Sequence, residues 1–255
     1  MNILVSGAAG FLGQGLVEEL GKPPHRLRLL DIHTPEEGPH DAIAGSVADL
    51  ETCRQAVDGM DAIVVGHMAP RGKNNVNYDT PTMPFDINVK GTANLFHAAR
   101  EVGIEAAVVI SSTAAIMYYQ KLPDPPALTH DLAPRAFGSG FYGISKVMQE
   151  ITAEYYARQH GMRVAVLRVG YILDGENNRD KYGRVIDERA PLDADRRDIG
   201  AVARLALEDT SIAYEVFHVM STEEAMDTWD LRYTCDRLGW RPAYDFSWLP
   251  GNQES

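Results

Sequence analysis

Tyr142-Gly143-Ile144-Ser145-Lys146 sets a phenol and an ammonium four residues apart, which on a helix places both on one face. A phenol is a poor base at neutral pH, and a neighbouring ammonium favours its ionised form. Such a tyrosine can take the proton of a substrate hydroxyl while hydride leaves the same carbon, or return it in the reverse direction. The same spacing occurs on ordinary exposed helix faces, so its meaning rests on what accompanies it. An apolar run ends at Ser111-Ser112-Thr113, where a hydroxyl can hold the substrate oxygen. Ser112 is the preferred candidate, with Thr113 taking its place if the chain is shifted by one residue. A polar strand end that caps the next turn is the competing explanation.

The third feature is Gly7-Ala8-Ala9-Gly10-Phe11-Leu12-Gly13, which follows the apolar run Ile3 to Ser6 and opens an amphipathic segment. Glycine permits a tight turn and lets the backbone approach a pyrophosphate, while unpaired amides at a helix N-terminus donate to that anion. An acid, Asp31, closes the second strand 18 residues after Gly13. A carboxylate there accepts hydrogen bonds from both ribose hydroxyls and repels a 2′-phosphate, which favours NAD over NADP. Arg26 and Arg28 keep NADP in play. Asp49 either accepts from the adenine amino group or is a plain helix-capping aspartate.

The elements that must position these residues alternate. Strand-length runs at Ile3 to Ser6, Arg26 to Asp31, Ala42 to Ala44, Ala62 to Val65, Ala106 to Ser111 and Val164 to Val169 are interleaved with helical patterns. Those patterns cover Leu12 to Leu20, Leu50 to Val57, Phe85 to Val102 and Tyr142 to His160. This predicts an α/β fold, a Rossmann-type doubly wound parallel sheet with a small C-terminal substrate-binding portion. A long polar loop follows His67-Met68-Ala69 as far as Pro84, and the prolines between 120 and 138 predict an extended loop. After Gly170 the pattern weakens to a charged loop (174 to 189), a helix over Ile199 to Glu208, a strand over Val216 to Val219 and a last helix over Thr228 to Leu238. Residues 1–170 are read as the NAD-binding core. Residues 171–255 complete it around 197–219 and form the substrate-binding portion.

Together these pieces resemble the extended short-chain dehydrogenase/reductase family, the NAD-dependent epimerases and dehydratases, over nearly the whole chain. The likeness is carried by Gly7 to Gly13, Asp31, Asp49-Leu50, Asn88-Val89-Lys90-Gly91-Thr92-Ala93-Asn94-Leu95, Ser111-Ser112, Tyr142 to Lys146, Leu167-Arg168-Val169-Gly170 and Arg197-Asp198-Ile199. It implies that Tyr142 is the acid/base, that Lys146 binds the nicotinamide ribose and tunes the tyrosine, and that Ser112 orients the substrate. It implies that Asn88 supports the sheet and the water path of the site. Ile32, Leu50, Val65, Gly66, His67, Ile110 and Val169 complete the expected cofactor contacts. His67 can equally be an ordinary hydrogen-bonded strand-end residue.

Within that family the chain is most similar to the short uronate dehydrogenases. Three departures concern the substrate. Met117 stands where a glycine is expected, and Tyr171 where a small hydroxyl residue is expected. The arginine that binds a sugar carboxylate has no unshifted counterpart, and Arg179, Lys181 or Arg184 can substitute for it; Tyr171 and Arg179 are taken as substrate residues.

Bulk properties narrow the partners. With 36 acidic against 24 basic residues the formal charge is −12, which repels nucleic acid and anionic membranes. The start of the chain shows no leader pattern and no apolar run approaches bilayer length, so a cytoplasmic protein is expected. Two cysteines, Cys53 and Cys235, form no disulfide framework and no metal-ligand spacing, and no metal is expected. The leading expectation is an NAD-dependent dehydrogenase, pairing as a homodimer through its two long helices, that oxidises a hydroxyl of a free sugar, sugar acid or polyol. Epimerisation with tightly held NAD and a non-catalytic NAD sensor are the alternatives; intact Ser112, Tyr142 and Lys146 argue against the latter.

Overall fold

The segments Ala62–Val65 and Ala106–Ser112 are buried at every position. Uninterrupted burial of that kind is stable where a strand is covered on both faces by helices. A computed structural model, which describes residues 1–33, 38–70, 81–136, 140–244 and 246, shows this arrangement. The strands are β1 (Asn2–Ser6), β2 (Arg26–Asp31), β3 (Asp41–Ala44), β4 (Ala62–Val65), β5 (Ala106–Ser112), β6 (Arg163–Val169) and, late in the chain, β10 (Tyr214–Val219). They form one parallel sheet in the order β10-β6-β5-β4-β1-β2-β3. The order reverses between β1 and β4, whose Val5 and Val64 are register partners.

Alternate residues of each strand feed two cores. Ile3, Val5, Val64, Val108 and Leu167 pack with Leu16 and Leu20 of α1 (Phe11–Leu20) and Ile199 and Val202 of α6 (Arg196–Glu208). Leu4, Ile63, Val65, Val109 and Val166 face the other way. They meet Ala56 and Val57 of α2 (Leu50–Val57), Leu95 and Phe96 of α4 (Gly91–Glu101), and Ala153 and Tyr156 of α5 (Gly140–His160). Two-residue side-chain periodicity on a doubly covered sheet dictates this division.

The structure corrects the expected elements in places. The helix predicted over Phe85 to Val102 begins earlier, at α3 (Thr82–Pro84), and passes through a π-helical turn (Phe85–Lys90) before α4. Pro81 and Pro84 are tolerated because the first turn needs no amide donors. The loop predicted up to Pro84 therefore ends sooner; its residues 71–80 lie outside the described residues. The last helix, expected from Thr228, starts only after Asp230, held at φ +51°, as α8 (Leu231–Leu238), and a separate short helix, α7 (Ala225–Thr228), precedes it. The charged segment after Gly170 contains structure that its sequence pattern did not announce. A second sheet is built from β7 (Tyr171–Asp174), β8 (Arg179–Asp180) and β9 (Asp193–Asp195), in the order β8-β7-β9. Among the described residues no helix is long and apolar enough to cross a membrane.

One buried ion pair joins these layers. Glu150 of α5 and Arg168 of β6 are each 1% exposed and meet at 2.8 Å. Arg168 also donates to the carbonyls of His130 (3.3 Å) and Leu132 (2.9 Å), so it ties the proline-rich segment to the sheet. Removing one partner leaves a charge buried and uncompensated, which costs about 3–5 kcal/mol, whereas replacing both by apolar groups is often near neutral. Arg168→Met is therefore expected to lower unfolding free energy in urea by about that amount. Arg168→Met with Glu150→Leu should recover most of it; equal losses in the single and double variants would contradict the assignment.

Candidate active site

The carboxyl ends of β1 and β4 lie side by side where the strand order reverses, the place at which a parallel sheet opens a crevice. From β1 the chain turns at Gly7, whose φ is +74°; a Cβ there would sit 2.6 Å from the Cα of His67. Only glycine fits both the dihedral and the approach. α1 then starts with Gly10 as its cap and no side-chain cap hydrogen bond. Its first amides and the positive end of its dipole open on a cavity of about 1000 Å³ lined by Gly7, Gly10, Phe11, Leu12 and Gly13. Asp31 lines the same cavity. Its carboxylate accepts from the amides of Ala9 (3.1 Å) and His33 (3.2 Å) and keeps lone pairs for a further donor.

The far end of the cavity is built by β5 and α5. Ser112, Thr113, Tyr142 and Lys146 all line it. Lys146 is buried, its Nζ donates to the Ile110 carbonyl at 2.8 Å and it lies 6.0 Å from the centre of the Tyr142 ring. Ser112 Oγ accepts from the Ala114 amide at 3.2 Å, so the turn-capping reading of this serine and its place in the cavity hold together. Ser111 also lines the cavity, and its hydroxyl donates to Glu150 at 2.5 Å.

Behind the tyrosine runs a buried polar relay. Asn88, on the π-helical turn, accepts from the Ala69 amide at 2.7 Å and donates to Ser145 Oγ at 2.9 Å; Ser145 donates to the Tyr142 carbonyl at 2.8 Å. The widened turn thus links the end of β4 to the first turn of α5, and π turns inside helices often mark functional positions.

Of the remaining expected site residues, Ile32, Gly66, His67, Ile110, Val169 and Tyr171 line the cavity. Asp49, Leu50, Val65, Asn88 and Arg179 are not among its lining residues. Asp49 caps α2, accepting from the Thr52 amide at 3.0 Å and its hydroxyl at 2.6 Å, and those bonds hold its carboxyl below the usual range. Val65 points into the α2/α4/α5 core and Leu50 packs against it. Arg179 donates to the Gly183 carbonyl at 2.7 Å.

Sequence reasoning missed the walls that carry no motif: Gly45, Ser46 and Val47 after β3, Met68, and Tyr182. Of the three cations offered as substitutes for the missing arginine, Lys181 and Arg184 line the cavity. They belong to a cluster in which the Tyr171 hydroxyl donates to Asp180 (2.9 Å) and accepts from Arg184 (2.8 Å). Lys181 Nζ lies 5.6 and 5.4 Å from the ring centres of Tyr171 and Tyr182. Burial and the Asp180 carboxylate raise the Tyr171 phenol above its usual range.

His67, left open between cofactor and structural roles, is buried and its Nδ1 is 2.9 Å from Ser6 Oγ. Burial, then the charge of Lys146, pushes its pKa down to about 3, so it lines the cavity as a neutral imidazole.

A crevice with a glycine turn, open helix amides and a carboxylate on one side and a tyrosine-lysine pair on the other suits a dinucleotide. Residues 3–189 match the NAD dependent epimerase/dehydratase family. An L-arabinose 1-dehydrogenase (NAD(P)(+)) of Haloferax volcanii is 31% identical over 70% of this chain and 70% of its own length. A uronate dehydrogenase of Pseudomonas syringae is 28% identical over 94% of this chain and 81% of its own. The crystal structure of a uronate dehydrogenase from Agrobacterium tumefaciens superposes with a TM-score of 0.76 at 26% identity, covering 96% of this chain and 85% of that one.

The depressed His67 pKa carries a pH consequence. The unfolded imidazole takes up a proton near its ordinary 6.5 while the folded one does not until about 3. The stability His67 confers is present above 6.5 and is lost as pH falls toward 3. The difference in urea midpoint between wild type and His67→Asn should therefore shrink steadily as pH is lowered from 7 to 4; a constant difference would show that His67 titrates normally.

Proposed function

Because the chain belongs to the NAD dependent epimerase/dehydratase family, we propose that it is an NAD-dependent dehydrogenase of that family that oxidises a hydroxyl of a small sugar, sugar acid or related polyol. The observation that carries this reading is the convergence of Ser112, Thr113, Tyr142 and Lys146 on one cavity whose other end is the Gly7 to Gly13 turn and Asp31. In this reading the α1 amides hold the pyrophosphate, Asp31 accepts from the adenosine ribose, and Lys146 donates to the nicotinamide ribose. NAD, when bound, supplies the hydride acceptor. Tyr142 takes the proton of the substrate hydroxyl, and Ser112 or Thr113 donates a hydrogen bond to the same oxygen. Asn88, through Ser145, fixes the turn that carries Tyr142.

The substrate portion is the β7–β8–β9 sheet with the segments between. Tyr171 and Tyr182 offer flat apolar faces to a sugar ring, and Lys181 and Arg184 offer donors to a carboxylate. The sugar and sugar-acid oxidations named for the relatives fit that wall.

Tyr142→Phe removes the base and leaves the cofactor end intact. NADH affinity by fluorescence titration should stay within about twofold, while turnover falls by about 10²- to 10⁴-fold; full turnover in this variant would refute the assignment. A screen of free uronates, aldoses and polyols for growing NADH absorbance identifies the substrate. Conversion of a sugar to its epimer without NADH release would favour the epimerase reading instead.

The homodimer belongs to the same proposal. Ile144, Ile151 and Tyr155 are exposed along α5, and with Met148 they form a stripe at helical spacing. Ile151→Asp should turn a dimer into a monomer in light scattering. A wild-type monomer at micromolar concentration would rule the pairing out.

A further inference from the structure

Arg196, the first residue of α6, makes three contacts that no local sequence pattern announces. Its Nη1 donates to Gln14 Oε1 on α1 at 2.5 Å, its Nη2 meets Asp174 Oδ2 at the end of β7 at 2.9 Å, and its guanidinium lies 5.5 Å from the centre of the Phe11 ring. Phe11 is the first helical residue of α1 and lines the cavity. β7 is the strand whose other residues Tyr171 and Ile172 line the cavity at its substrate end. The guanidinium therefore bridges the helix terminus aimed at the cofactor and the strand that walls the substrate.

Its anchor is rigid. α1 and α6 cross in direct backbone contact: a Cβ on Gly15 would lie 2.4 Å from the Arg196 carbonyl oxygen, so the α1 side bears no side chain at that point. With the backbone of Arg196 fixed against α1, its side chain has a defined reach to Gln14 and Phe11. Asp174 is fixed as well. Burial raises its carboxyl, but bonds from Asn177, the charge of Arg196 and the Glu176 amide more than offset this, and it stays ionised below the usual range.

Stability alone does not call for an arginine here. The side chain is 9% exposed, and its Nε is buried without an acceptor among the described residues. An unsatisfied buried donor is costly, and an apolar pair in place of both Arg196 and Asp174 would avoid that cost. What the arginine provides and an apolar residue cannot is a planar fork holding two elements in fixed relation.

We infer that Arg196 is a positioning residue for the coenzyme: by clamping Gln14 and Phe11 to Asp174 it holds the N-terminus of α1 in its anion-binding geometry. This rests on the assignment of that terminus to NAD under the proposed function. Arg196 itself is not among the cavity-lining residues, so it acts through α1.

The test compares Arg196→Met with Gln14→Ala, the latter an exposed helix position whose substitution favours helix. Three readouts are taken on the full chain: NADH dissociation constant by fluorescence titration, melting temperature, and amide exchange without coenzyme. The expected result is an NADH affinity weakened about 2- to 30-fold, more in Arg196→Met than in Gln14→Ala. Exchange at residues 8–14 should be faster while exchange in β5 is unchanged. Two results would overturn the inference: NADH affinity within the error of wild type in both variants, or weakened affinity only where β5 exchange speeds up as the melting temperature falls, as a plain loss of packing would produce. A wild-type chain that binds no NADH sinks the coenzyme assignment itself and is read separately from either result.

Discussion

The ends of β1 and β4 come so close at the reversal of the sheet that no side chain fits between them. Gly7 turns there against the backbone of His67, and that contact sets the direction in which α1 leaves the sheet. Much of the cofactor end depends on it. If the turn opened, the amides at the start of α1 would no longer bear on the crevice and Asp31 would lose its bond to Ala9. His67 lies beneath as a small, buried, neutral group. A charged or larger side chain there would push β4 away from β1.

From that contact a continuous body of buried polar groups extends to the Tyr142 end of the cavity. Ser6 meets His67, and Thr92 bonds to the Asn88 carbonyl and receives Gln149; Asn88 reaches Ser145 and through it Tyr142. The face of α5 that meets the sheet is correspondingly polar, with Ser145, Lys146, Gln149 and Glu150 all buried. In a helix of ordinary amphipathicity these positions would be apolar. Their polarity is the cost of fixing the Tyr142 backbone and the Lys146 ammonium with hydrogen bonds instead of van der Waals contact, which is less directional.

How much of this was legible follows from the range of each interaction along the chain. The glycine turn, Asp31 and the Tyr142-Lys146 pair are local, and their spacings report their geometry directly. The doubly wound sheet was legible because each strand and helix declares itself by its own periodicity. Asp49 was not decidable: a cap and an adenine acceptor present the same residue before the same helix, and the structure shows the cap. Tyr182 and the Arg196 bridge were invisible for a different reason. Gln14 and Arg196 are brought together by the crossing of α1 and α6, and nothing within either segment encodes the partner. The one available hint was Gly15, a second glycine inside an otherwise good helix, where a loss of helix propensity has to be repaid by close packing.

Charge raises a last question of scale. A dinucleotide coenzyme is anionic, and so is a sugar acid, yet the chain carries a formal charge of −12. At physiological ionic strength exposed charges farther away than about 8 Å are largely screened, so the global repulsion reaches the crevice weakened. The local donors act at hydrogen-bond distance, where they are screened much less. On the proposed reading, open helix amides serve the pyrophosphate without adding a mobile cation, and Arg196 and Arg197 are paired with Asp174 and Asp195. At the substrate wall Arg184 is likewise paired with Asp180. On the proposed reading, recognition of anions by this chain is therefore a matter of oriented dipoles and paired, positioned cations, not of net charge.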